Sequence, residues 1–89
     1  MKVKEGFVLR DVAGSAMVIA VGEASKSFQG MVRLNDTGKE IWKYVENGMS
    51  EEQIVAAMKE KYDVSEDKLK NDVHEMIQRM VKAGFVINE

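Results

Sequence analysis

The side chain best equipped for chemistry in this 89-residue chain is its single histidine, His74. An imidazole acts as a metal ligand or general base when a second ligand or an orienting acid is held beside it. Asp72 and Glu75 are close in sequence, but the position one helical turn further on is Gln78. One histidine and two carboxylates at this spacing fall short of a metal-binding pattern, so His74 is expected on the solvated rim of a helix. The chain has no cysteine, which removes thiolate nucleophiles and disulfides and suits a reducing compartment. Its seven glycines form neither a dinucleotide-binding fingerprint nor a Walker loop, and most of them punctuate turns. Gly38 differs because it falls in the first turn of a helix, where glycine is either tolerated or kept for close packing. No cofactor or metal is expected, and no catalytic residue is assigned.

The charge balance narrows the partners. Thirteen basic and fifteen acidic residues leave a net charge of −2, which gives no electrostatic footprint for nucleic acid or an anionic membrane. With 45% hydrophobic and 31% charged residues, the composition is that of a folded soluble chain. No apolar run approaches the roughly 20 residues that span a bilayer. The opening "MKVKEGF" lacks the apolar segment of a signal peptide, so a cytoplasmic location is expected. Asn35-Asp36-Thr37 matches a glycosylation pattern but reads better as a helix cap.

The elements follow from the hydrophobic period. Residues 7–12 ("FVLRDV") and 16–21 ("AMVIAV") are rich in β-branched side chains, with Ala13-Gly14-Ser15 between them, a hairpin signal. A polar connection, "GEASKSFQG", leads to a third short strand, "MVRLN". The simplest assembly is an antiparallel meander with its first and third strands at the edges. The period then becomes helical. Asn35 caps a helix carrying Ile41, Trp42 and Val45, and Asn47-Gly48 ends it. Ser50-Glu51-Glu52-Gln53 fits a capping box for a second helix with Ile54, Val55 and Met58 inside. Ser65 caps the longest helix, whose stripe runs Leu69, Val73, Met76, Ile77, Met80 and Val81. Gly84 ends it, and "FVIN" reads as a short extended stub. The expected fold is α+β: one domain over residues 1–89, with a three-stranded antiparallel sheet over about 6–34. A three-helix bundle resembling a winged helix-turn-helix follows over about 35–84.

Helix-turn-helix architecture raises DNA binding as an alternative function, that of a winged-helix regulator. The longest helix carries Lys68, Lys70, Arg79 and Lys82 against Glu66, Asp67, Asp72 and Glu75, a net charge of zero. Affinity for duplex DNA comes largely from neutralising phosphates, which such a helix supplies poorly. The third strand offers another surface. An edge strand carries unpaired N–H and C=O groups, and an extended peptide can add to it. Met58, Met76 and Met80 are expected in the core, while Met31 falls on that edge.

The order and spacing of several pieces resemble the PqqD-like family. They are Leu34-Asn35-x-Thr37-Gly38, Ile41-Trp42, the Gly48 turn, Glu52-x-Ile54-Val55, Tyr62-Asp63-Val64, Asp72-Val73 and Gly84-Phe85-Val86, with "FVLRDVAG" and "VIAVGEA" upstream. The resemblance covers residues 6–88. It implies a non-catalytic domain that takes the leader segment of a precursor peptide as an extra strand and presents it to a modifying enzyme, often a radical SAM protein. The positions it implies are Gly30, Met31, Val32, Arg33 and Leu34 on the strand. On the longest helix they are Lys68, Leu69, Asp72, Val73, Met76 and Arg79.

Overall fold

A computed structural model of the chain describes residues 1–27 and 31–87. Strands β2 (Phe7–Val12) and β3 (Ser15–Ala20) form the expected hairpin, preceded by a two-residue strand, β1 (Lys2–Val3). The loop is one residue shorter than the sequence suggested, because Ser15 already pairs with Val12. Ala13 and Gly14 both adopt positive φ, +52° and +82°. That is the primed turn whose twist matches two right-handed strands. Strand β4 (Met31–Leu34) pairs antiparallel with β3 from Ala16↔Leu34 to Ile19↔Met31, so the sheet order is β2-β3-β4.

The connection read as merely polar holds one helical turn, α1 (Ala24–Ser27). Within it the Ser25 hydroxyl donates to the Gly22 carbonyl at 2.6 Å. The three longer helices are α2 (Asp36–Glu46), α3 (Glu51–Lys61) and α4 (Glu66–Lys82). Their caps are those the sequence specified. Asn35 accepts from the Gly38 amide at 2.8 Å, the Ser50–Gln53 capping box is complete, and Ser65 accepts from the Lys68 amide. Gly38 has a packing role. A Cβ there would lie 3.2 Å from the capping Asn35 oxygen and 3.5 Å from the Leu34 Cβ. The glycine lets the helix start hard against the end of β4.

The terminal stub is paired rather than free. Strand β5 (Val86–Ile87) runs antiparallel to β1, with Val3 opposite Val86, and the Lys4 amide donates to the Phe85 carbonyl at 2.8 Å. This small ribbon brings Phe85 between Phe7 and Trp42, with ring centroids 5.1 Å and 6.1 Å away. A single cluster of buried side chains joins Phe7 and Val18 from the sheet to Trp42, Ile54, Val73 and Ile77 from the helices. Each such side chain contributes roughly 1.5–3 kcal/mol by leaving water. Met58 and Met80 are buried as expected, while Met76 lies at the margin of the core.

Candidate functional site

β3 occupies one side of β4, and among the described residues no strand pairs with the other side. The hydrogen-bond phase of the sheet says which backbone groups face that open edge. The Val21 amide donates to the Gly6 carbonyl at 2.7 Å, which makes this pair a bonded one. Bonded and non-bonded pairs alternate along an antiparallel ladder. The odd residues of β3 therefore bond to β2, leaving Ala16 and Val18 to bond Leu34 and Val32. Met31 and Arg33 direct their N–H and C=O groups outward. Alternation also splits the side chains. Val32 and Leu34 turn toward the helices and are half-buried, whereas Met31 (56% exposed) and Arg33 stand on the opposite face. Gly30, expected to belong to this edge, lies outside the described residues.

A groove of about 490 Å³ runs between this strand and α4, with Leu34, Met76, Met80 and Phe85 among its apolar walls. Arg33, Asn35 and Arg79 form its polar margin. A second depression of about 250 Å³ continues it, sharing Asn35, Met76 and Arg79 and adding Thr37, Asp72 and Glu75. Along α4 the groove follows a stripe from Asp72 through Met76 and Arg79 to the capping Ala83, at steps of four, three and four, with Glu75 and Met80 beside it.

The expected helix residues divide by face. Asp72, Met76 and Arg79 lie along the groove. Leu69 and Val73, 5% and 0% exposed, belong to the adjacent core stripe and line a further cleft of about 110 Å³ with Met58 and Tyr62, which shares Thr37 and Asp72 with the second depression. Lys68 continues the groove stripe one turn beyond its end and is tied to Asp72 at 3.2 Å. Three of the four basic side chains of α4 are engaged by acids on the same helix: Lys68 by Asp72, Lys70 by Glu66 and Arg79 by Glu75. The helix therefore presents little free positive charge to a phosphate backbone.

The profile of a family described as coenzyme PQQ synthesis protein D (PqqD) matches residues 7–86. The chain belongs to the PqqD family. Two solved structures share its fold. One, TbiB1 in complex with the TbiA(beta) leader peptide, is 18% identical with a TM-score of 0.82, covering 100% of this chain and 98% of that one. The other, lasso peptide synthetase B1 complexed with the leader peptide, is 13% identical with a TM-score of 0.80, covering 98% and 96%. No curated protein matches the chain in sequence.

Two features of this PqqD-family chain were not singled out in the sequence. Met80, Ala83 and Phe85 wall the groove, although periodicity marked Met80 as core, left Ala83 at a helix end and put Phe85 in the extended stub. For Met80 and Ala83 the signal was the spacing from Met76, continuing the helical stripe past Arg79; Phe85, beyond the helix end, had none in the period. The second feature is Glu40, which accepts hydrogen bonds from the Tyr44 hydroxyl at 2.9 Å and the Tyr62 hydroxyl at 3.0 Å, with Lys61 at 3.4 Å. Burial pushes this carboxyl up, but the hydrogen bonds from Tyr44, Tyr62 and Lys61 outweigh it and hold it below the ordinary range. It fastens α2 to the end of α3. His74 lies on the exposed rim, its Nδ1 3.1 Å from Glu51. Among the described residues no cluster of His, Asp or Glu could hold a metal ion.

Proposed function

We propose that this PqqD-family domain binds the leader segment of a precursor peptide as an additional strand on β4 and presents the peptide to a modifying enzyme. The observation that carries the reading is the coincidence of an open strand edge with an apolar groove along the same strand. Main-chain bonds to Met31 and Arg33 would supply affinity, and side chains entering the groove would supply selection. The two solved structures that share the fold hold leader peptides, which supports the same assignment. Met31 to Leu34 form the strand part of the interface, with Asp72, Met76 and Arg79 along its helical wall. Leu69 and Val73 support that wall from the core, and Lys68 fixes Asp72.

The domain performs no chemistry in this scheme. Tethering a leader converts the encounter of core peptide and enzyme into an intramolecular one, with an effective concentration on the order of millimolar for a short linker. The enzyme is of the radical SAM class that the family resemblance implies, and the partnership operates in the cytoplasm. NMR titration of the full chain with the leader of the precursor peptide tests the reading. Backbone amides of Met31 and Arg33 should shift together with those of Met76 and Arg79. Shifts confined to α3 would overturn it.

A further inference from the structure

The geometry points to the chemistry of the guest peptide: an extended segment with apolar side chains directed into the groove and a carboxylate held beside Arg33. The inference rests on strand addition to β4 and specifies what that strand must carry.

Cross-strand partners share a face, so each row of the sheet continues into a residue of an added strand. On the face turned from the helices, one row is Val8–Ile19–Met31 and the next is Arg10–Met17–Arg33. A guest residue beside Met31 extends an apolar row. A guest residue beside Arg33 extends a row that already holds two guanidinium groups across one methionine. At strand spacing these lie roughly 10 Å apart, close to a Debye length in physiological salt. Among the described residues neither arginine is paired with a carboxylate, and the Arg10 guanidinium donates to the neighbouring Leu9 carbonyl. A guest carboxylate would be the first counter-charge in that row.

The inner face asks for the opposite chemistry. A guest residue beside Val32 points toward Met76, Met80 and Phe85. The apolar walls of that part of the groove offer no partner for a guest charge, and its one charged helical side chain, Arg79, is already engaged by Glu75. The guest is therefore an apolar, acidic strand: apolar beside Met31, apolar into the groove, Asp or Glu beside Arg33, and apolar beside Leu34. The pattern holds for either strand direction, since alternation of faces is common to both. The same charges argue against a second copy of this chain on the outer face, because it would bring further arginines to the row.

Selection of displayed random nonapeptides on the full chain tests this, followed by fluorescence anisotropy and amide shifts with the enriched synthetic peptides. Peptides that shift the Met31 and Arg33 amides should share the alternating pattern with an enriched acid at one outward position. Replacing that acid by Gln should weaken binding roughly two- to five-fold, and the difference should shrink in 1 M salt. Selection on the Arg33→Glu variant should move the preference at that position to Lys or Arg. Enriched peptides that shift the edge amides but show no acid preference would overturn the inference while leaving strand addition intact. Enriched peptides that leave those amides unmoved, or a selection that enriches nothing, would count against both.

Discussion

Glu40 shows how much one side chain does for the arrangement of the bundle. It is the shared acceptor for Tyr44 on its own helix and for Lys61 and Tyr62 at the far end of α3. Its carboxyl is held below the ordinary 4.5. A depressed carboxylate stabilises the fold fully above its unfolded value and loses that contribution as pH falls through the lower folded value. Glu40→Gln should therefore cost roughly 1 kcal/mol at neutral pH, and the difference from wild type should shrink as pH falls below the ordinary carboxylate range and disappear once the lowered carboxyl is protonated. Urea unfolding at pH 7 and in acid measures both; a constant difference would mean that the charge is not involved. The caps were legible in the sequence because Asn35, Ser50 and Ser65 act within three residues of themselves. Glu40 was not, because its partner Tyr62 is 22 residues away and only the fold brings them together.

At the scale of elements, β4 has two edges with different obligations. Val32 sends its backbone bonds to β3, whereas Met31 sends its own outward. Proline removes one N–H and is tolerated at the start of a strand or where that N–H faces solvent. Met31→Pro should leave thermal unfolding within a few degrees of wild type and weaken leader binding at least several-fold. Val32→Pro should destabilise by roughly 3 kcal/mol, because a ladder bond is lost inside the sheet. Calorimetry on both variants, with anisotropy for the leader, separates the two edges; equal destabilisation would mean that the assigned phase is wrong. Strands β2–β4, helices α2–α4 and the sheet order were readable from period and turn residues, whereas the single turn α1 was not. The split of the α4 residues was not, because neighbours such as Asp72 and Val73 differ by only about 100° of rotation, and placing β4 decides which of them meets the groove.

At the scale of the whole molecule, the β1–β5 ribbon couples the two ends of the chain to the groove. Phe85 belongs at once to the aromatic cluster with Phe7 and Trp42 and to the groove wall. Removing residues 1–4 strips Met1 and Val3 from the core margin and the Lys4 bond from Phe85. The truncated chain should lose about 2 kcal/mol and also bind leader more weakly, read from urea midpoints and from titration at a temperature where it is still folded. Undiminished affinity would mean that the ribbon serves stability alone. This pairing escaped the sequence because two-residue strands carry no period and their partners lie more than eighty positions apart.

The pleat of β4 has a consequence over longer times. Val32 and Leu34 hold the strand to the core, while Met31 and Arg33 face solvent and, under the proposed reading, the guest. Substitutions at exposed positions away from caps and buried networks usually change stability by less than about 0.5 kcal/mol. A lineage carrying this fold can therefore exchange Met31 and Arg33 as its precursor peptide changes, altering which guest is accepted without endangering the host. Recognition can drift while the scaffold stands still.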